Sequence, residues 1–277
     1  MSRSVSSPEP SPGQAPSPAV VVEVTQGVGV VRLNRPDSMN ALNTETKEQL
    51  LAALQQVAAD PEVRCVVLTG SGRAFCVGQD LKEHVESLRD GSTQLGATVT
   101  DHYNPIVTLL VTMNKPVVAA LNGVTAGAGA SFAFAADFRI LVDSAGINLA
   151  FTAIALSCDS GASWTLPRIV GPAKAKELLL LPRTIGAAEC LELGLVTRVV
   201  PAEVLESAVR ELARTLADGP TLAYGAVRRA VAYSAAHPLK ESLAHEAELM
   251  TSTGATQDHE AAVTAFLAKE RPTFSGR

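Results

Sequence analysis

The stretch Asn122-Gly123-Val124-Thr125-Ala126-Gly127-Ala128-Gly129-Ala130-Ser131 decides how this chain is read. It follows an apolar β-type run, Pro116 to Leu121, and passes through small residues into a helix-like segment, Gly127 to Ala136. A second stretch shares the layout: Gly72-Arg73-Ala74-Phe75-Cys76-Val77-Gly78-Gln79-Asp80-Leu81-Lys82-Glu83 follows the run Cys65 to Thr69. A strand that turns through small residues into a helix leaves backbone N–H groups free at the helix start, where negative charge is favoured. Two such turns facing one point would form an oxyanion hole for an enolate or a tetrahedral thioester intermediate. Gly127-Ala128-Gly129 also invites a dinucleotide reading, but the last fingerprint position is Phe132, and Asp143 lies too close to serve as the ribose-binding acid.

Around these stretches, strands and helices alternate from residue 20 to about residue 150. Val20 to Val24 and Gly29 to Leu33 are β-branched runs split by Gln26-Gly27, a hairpin signal. Thr44 to Ala58 has helical apolar spacing, with Asn43 or Thr44 as its cap and Asp60-Pro61 as its stop. Val63 to Thr69 reads as a buried strand, Tyr103 to Met113 as a helix and Phe138 to Val142 as a strand. Beyond Gly161 the pattern turns helical, with apolar periodicity over 173–181, 187–193, 202–217, 222–236, 239–251 and 259–269. The expected organisation is a tail over 1–18, an α/β core over 19–200 and a helical C-terminal region over 201–277.

Composition limits the function classes. The 277 residues are 47% hydrophobic and 18% charged, so a packed core is expected. A net charge of −5 gives no electrostatic reason to expect nucleic acid as a partner. Cys65, Cys76, Cys158 and Cys190 show neither CxxC nor metal-ligand spacing, so free thiols in a reducing compartment and no metal site are expected. Met1 to Pro18 is rich in Ser and Pro and reads as disordered, not as a signal peptide or anchor. Val117 to Ala136 comes nearest to a membrane span, but Asn122, Gly123, Gly127 and Gly129 interrupt it. A cytoplasmic protein with no membrane partner is the expectation.

The chain resembles the crotonase (enoyl-CoA hydratase/isomerase) superfamily over residues 19–277. The resemblance rests on Leu33-Asn34-Arg35-Pro36 with Asn40-Ala41-Leu42-Asn43, on Ala74 to Leu81, on Asn122 to Asp137, on Leu166-Pro167-Arg168-Ile169-Val170-Gly171 and on Gly194-Leu195-Val196. It implies an α/β crotonase (ClpP/crotonase-like) fold of repeated ββα units with a helical C-terminal trimerisation region. It also implies acyl-CoA ligands, a homotrimer or dimer of trimers, and no cofactor beyond the coenzyme A of the substrate. By the same resemblance the backbone N–H groups of Gln79 and Ala128 form the oxyanion hole, bordered by Gly78 and Gly127. Arg35, Ser38, Met39, Ala41, Ala74 and Cys76 match the family's adenine and phosphate edge. Phe266 and Lys269 match residues that reach the CoA of a neighbouring subunit. Asp80 and Leu81 fall beside the acyl group, although Asp80-Leu81-Lys82-Glu83 also reads as a helix capping box.

Family hydratases hold water between two glutamates, which would fall at Ser131 and Phe151. Neither residue can do that proton chemistry. A third family position does carry an acid. Asp159, in Ala155-Leu156-Ser157-Cys158-Asp159-Ser160-Gly161-Ala162-Ser163-Trp164, resembles the segment of phenylacetate-degradation isomerases that shuttle a proton with one aspartate. The same position is a nucleophile in 4-chlorobenzoyl-CoA dehalogenases. An apolar pocket of Phe151, Ile154, Trp164 and Leu166 would raise the pKa of Asp159 by desolvation. Asp159 would alternatively cap the helix starting near Gly161. Ala155, Cys158 and Ala162 depart from the family's Gly, Pro and Gly. Cys158 reads as a small packing residue in preference to a nucleophile. His84 and His102 fall in or beside a variable lid, Lys82 to Asp101, while His237, His245 and His259 read as surface residues. The expectation is an acyl-CoA isomerase that shifts a double bond or rearranges a ring epoxide. The alternatives are a hydratase-type lyase, a dehalogenase-like thioester hydrolase and a non-catalytic acyl-CoA binding protein.

Overall fold

The computed structural model describes residues 17–91 and 95–277. The expected tail over 1–18 lies, as far as residue 16, outside the described residues. The strands are β1 (Val20–Thr25), β2 (Val28–Leu33), β3 (Cys65–Gly70), β4 (Ala74–Cys76), β5 (Val117–Leu121), β6 (Val124–Ala126), β7 (Phe138–Val142), β8 (Gly146–Asn148), β9 (Ile185–Gly186) and β10 (Arg198–Val200). The helices of the core are α1 (Thr44–Ala59), α2 (Leu81–Asp90), α3 (Leu95–Thr98), α4 (Asn104–Thr112), α5 (Ala128–Ala135), α6 (Ala162–Val170), α7 (Pro172–Leu180) and α8 (Ala187–Glu192). The C-terminal helices are α9 (Leu205–Ala217), α10 (Thr221–Ser234), α11 (Leu239–Gly254) and α12 (Gln257–Ala268).

Two sheets organise the chain. One has six strands in the order β1-β2-β3-β5-β7-β10, and the other has four in the order β4-β6-β8-β9. β1 and β2 form the hairpin expected around Gln26-Gly27, and β2, β3, β5, β7 and β10 then run parallel. Each of β3, β5 and β7 is followed by a short strand of the second sheet, so that long strand, short strand and helix recur as ββα units. The short strands β4, β6 and β8 supply the second strand of each ββα unit that the resemblance implied, although the residue pattern alone ran from long strand to helix. Three residues are too few to show a period of two.

The parallel strands are apolar without interruption because both faces are covered. Val66 and Leu68 point into the larger core with Leu50 and Leu54 of α1, whereas Cys65 and Val67 point into a second core closed by Leu205, Val209, Ala213 and Leu216 of α9. Helix α5 is buried along its whole length, which its Ala and Gly content allows. At Gly129 an added Cβ would sit 2.4 Å from the Cys76 carbonyl oxygen, so α5 lies directly against β4. That contact brings together the two stretches singled out in the sequence. No helix among the described residues is long and apolar enough to cross a membrane.

Candidate functional site

The Gly78–Asp80 segment is fixed by a single parallel bridge to Leu42. Leu42 N–H donates to the Gly78 carbonyl (2.8 Å), and Asp80 N–H donates to the Leu42 carbonyl (3.2 Å). In a parallel bridge these flanking groups are spent on the partner strand, so the N–H of Gln79 turns the other way. Opposite it, Gly127 N–H donates to Asn148 (3.0 Å) and the Gly127 carbonyl accepts from Ser131 N–H (3.2 Å), starting α5. Ala128 N–H is then the first orphan donor of that helix. Among the described residues, neither Gln79 N–H nor Ala128 N–H donates to a protein acceptor.

Both groups border a cavity of about 500 Å³ lined also by Ser38, Met39, Ala41, Gly78, Asp80, Leu81, Gly127, Phe151, Ile154, Leu156 and Asp159. A second cavity of about 630 Å³ adjoins it under the lid and is lined by His84, Thr98, Val99, Ser157, Cys158 and Ser163, among others. Gln79, Leu81, Tyr103, Ile154, Leu156 and Asp159 line both, so they form the neck between the two spaces. Asp159 and Gln79 thus lie at the neck, and Ala128 lines the first cavity beside it. The Ser38–Ala41 loop lines the first space, and residues 95–96 and 98–100 line the second.

The two aspartates at this site are in opposite electrostatic states. Burial pushes the Asp159 carboxyl above the usual carboxylate range, only partly offset by a hydrogen bond from Ser160 Oγ (2.7 Å). Burial would also raise Asp80, but hydrogen bonds from Arg35 (2.9 Å) and from Lys82 N–H (3.1 Å), with the Arg35 charge, hold it below that range. Asp80 thus caps α2, as its sequence suggested. The reciprocal half of the expected capping box does not form. The Glu83 carboxylate instead accepts from Thr44 N–H and Thr44 Oγ1, which ties α2 to the start of α1. Asp159 does not act as a helix cap, since α6 begins after Gly161 without a side-chain cap bond. Asp159 lines both cavities instead.

Several sequence-selected residues lie away from this cavity. Arg35 Nη1 is bound to the Ala41 carbonyl (2.6 Å) and to Asp80, so it braces the loop and does not line the space. Ala74 and Cys76 are fully buried in β4, and the Cys76 thiol is pushed up to about 12 by burial. Ser131 is fully buried, with its hydroxyl turned back to the Gly127 carbonyl (3.4 Å). Of the four apolar residues expected around Asp159, Phe151 and Ile154 line the cavity. Leu166 is packed into the core, and Trp164 lies on an outer groove with the Arg168 guanidinium 4.1 Å from its ring centre. Phe266 and Lys269 are exposed at the end of the C-terminal helices. Cys158 lines the second cavity and packs against the core. His84 also lines that cavity, whereas His102 Nδ1 lies 3.3 Å from Thr98 Oγ1. The described residues contain no cluster of three or more His, Cys, Asp or Glu able to hold a metal.

Tyr103 and Asn40 were not selected from the sequence. Tyr103 reads there as the first core residue of an apolar helix, yet it lines both cavities and its hydroxyl donates to Gln79 Oε1. Asn40 is buried and donates to the carbonyls of Ser71 (3.0 Å) and Ala74 (2.8 Å), which fixes the Arg35–Ala41 loop to the β3–β4 turn. Its neighbours in sequence gave no periodic signal.

The repeated ββα units over two sheets are those of the crotonase fold class. The chain belongs to the enoyl-CoA hydratase/isomerase family, whose model matches residues 23–277. It is 38% identical to the 1,2-epoxyphenylacetyl-CoA isomerase of Escherichia coli (strain K12), over 93% of this chain and 98% of that one. It is 42% identical to a protein of Rhodobacter capsulatus provisionally named an enoyl-CoA hydratase, over 92% of this chain and 97% of that one. A crystal structure from Mycobacterium abscessus, provisionally named an enoyl-CoA hydratase/isomerase, superposes with a TM-score of 0.89 at 43% identity, covering 94% of this chain and all of that one.

Proposed function

We propose that this protein is an acyl-CoA isomerase in which Asp159 carries the proton. The carboxylate removes a proton from one carbon of an unsaturated acyl-CoA, and the C–H electron pair flows to the thioester oxygen. The N–H groups of Gln79 and Ala128 hold that oxygen as an enolate. The protonated Asp159 then returns the proton to a different carbon, so atoms and charge balance over the cycle. The acyl group is an open-chain enoyl unit or a ring epoxide, held in the space under the lid.

One observation carries this reading: Asp159 is a carboxylate raised by burial at the neck, with Ser131 and Phe151 where a hydratase would need its pair. Asp80, a buried acid that also lines the cavity, is committed to Arg35. The isomerase name of the Escherichia coli relative supports the same reading. The hydratase name of the Rhodobacter capsulatus relative favours addition of water, which would need a second activating group. The free thiols of Cys65, Cys76, Cys158 and Cys190 are in keeping with work in a reducing, cytoplasmic compartment.

The test is mass spectrometry and ultraviolet spectroscopy of 2-enoyl, 3-enoyl and ring-epoxide CoA thioesters incubated in deuterated water with wild type and Asp159→Asn. Isotope exchange or double-bond migration that the variant loses supports the isomerase. Water addition that survives the variant replaces it with a hydratase. A trapped acyl-enzyme at Asp159 replaces it with a hydrolase. Tight binding without turnover replaces it with a binding protein.

A further inference from the structure

Tyr103 contacts Gln79 and the helix that begins at Ala128. Its hydroxyl donates to the side-chain oxygen of Gln79. Its ring meets Phe132 edge-on, with centroids 6.0 Å apart and planes at 68°. Phe132 lies one turn beyond Ala128 on α5, so the same ring bears on the helix whose first N–H completes the hole. Tyr103 is 2% exposed, and it ends a single turn of π-helical geometry over Val99–Tyr103. Such turns are short and aim side chains that an α-helix would direct elsewhere.

The segment carrying Tyr103 is itself anchored from below. Lys47 of α1 is 1% exposed, and its ammonium donates to Thr98 Oγ1 (2.7 Å). The ammonium also lies 5.7 Å from the centre of the Tyr103 ring and 4.0 Å from Glu83. Burial, with the charge of Asp159 nearby, raises the Tyr103 hydroxyl above its ordinary range, so it remains a proton donor throughout the working pH range.

We propose that Tyr103 is a positioning residue for the oxyanion hole: it holds Gln79 from the cavity side while Leu42 holds the same peptide from the sheet side. The proposal rests on the reading of Gln79 and Ala128 as the oxyanion donors. The Leu42 bridge holds the Gly78 carbonyl and the Asp80 N–H on either side of Gln79, and Gly78, at φ +83°, has no side chain to stiffen the turn. The Tyr103 hydroxyl supplies the stiffness that this glycine lacks. Preorganised donors lower the barrier because they need no reorientation when charge develops on the substrate oxygen. Losing the hydroxyl therefore weakens binding of an enolate more than binding of a neutral thioester.

The test uses the full chain with Tyr103→Phe, which keeps the ring on Phe132 and removes the hydroxyl. Two probes are compared: acetoacetyl-CoA, whose bound enolate absorbs in the near ultraviolet, and butyryl-CoA, which forms no enolate at the same carbon so readily. The variant is expected to bind the acetoacetyl-CoA enolate about ten-fold more weakly and to bind butyryl-CoA within about two-fold of wild type. Turnover should fall through kcat with little change in KM. Equal losses for both probes would assign Tyr103 a packing role, and no loss for either would remove it from the site; each overturns the proposal. Gln79→Met deletes the acceptor while keeping the backbone N–H, and it should reproduce the selective loss even if Tyr103→Phe folds poorly. If wild type itself shows no enolate absorbance, the oxyanion-hole reading fails and the Tyr103 proposal falls with it.

Discussion

A β-carbon on Gly78 would lie 3.2 Å from the backbone nitrogen of Ala128. The two candidate oxyanion donors thus belong to loops in van der Waals contact, and Gly78 is the residue whose missing side chain keeps the approach open. Its φ of +83° adds a second demand for glycine. Gly78→Ala is expected to reduce kcat by about 10²–10³-fold, the scale of losing one oxyanion donor. The left-handed backbone adds a stability cost of about 1–2 kcal/mol. Steady-state kinetics with a thermal melt separates the two effects, since a variant that is folded but slow is the predicted result.

Asp159 links activity to stability through its titration. Burial raises its pKa in the folded chain, against the Ser160 hydrogen bond, so the folded state binds the proton more tightly than the unfolded state does. Ionisation therefore costs folded-state stability. The cost is absent below the unfolded carboxyl value of about 3.9, grows as pH rises towards the raised folded value, and is complete above it. Asp159→Asn stays uncharged throughout. It is expected to melt at a higher temperature than wild type near neutral pH, and the gain should vanish in acid. Its turnover should fall by about 10²–10⁴-fold, the usual contribution of a positioned general base. A melting series across pH, together with wild-type kcat rising as the carboxyl ionises, checks both parts.

The long elements were legible because their physics is local. Phe138 to Val142 and Leu239 onward carry their period in the chain itself, and the structure starts β7 and α11 at those residues. The second sheet was legible only through the family resemblance, not through any pattern in the residues. β4, β6 and β8 have three residues each and exist because a neighbouring short strand offers hydrogen bonds, a tertiary cause without a sequence period. The site divides in the same way. The turns at Gly78-Gln79 and Gly127-Ala128 announce themselves through glycine and small residues. Tyr103, Asn40 and the outward position of Trp164 depend on how distant segments meet, and no spacing along the chain encodes that.

Two positions where the family pattern has glycine respond differently to their backbone. Ala155 is exposed and adopts φ +58°, ψ +29°, a left-handed conformation that an alanine side chain disfavours. Ala162 is fully buried and begins α6, where alanine is the better residue. Ala155→Gly is expected to stabilise the protein by about 0.5–1 kcal/mol, the strain relief being partly offset by the larger unfolded-state entropy of glycine. Ala162→Gly should destabilise it by about 1 kcal/mol. Urea unfolding of both variants checks the pair, with opposite signs predicted.

The C-terminal helices carry several large apolar side chains that are exposed in the single chain. Val227 and Val231 of α10, Leu239 and Met250 of α11, and Phe266 and Leu267 of α12 are all exposed. An outer groove lined by Val111, Phe134, Trp164, Val227 and Val231 continues this surface onto the core. Contiguous exposed apolar area of this kind marks an association face. The occupant expected from the family resemblance is further copies of the same chain. Sedimentation should therefore give wild type a mass three or six times that of one chain. Val227→Glu with Val231→Glu places unpaired charges on the face and should yield single chains that retain the wild-type far-ultraviolet spectrum. If Phe266 and Lys269 reach a neighbour's ligand, as the family resemblance implies, the same variant should also bind CoA thioesters more weakly. A wild type that sediments as one chain would assign this surface to a different partner and would remove Phe266 and Lys269 from the binding site.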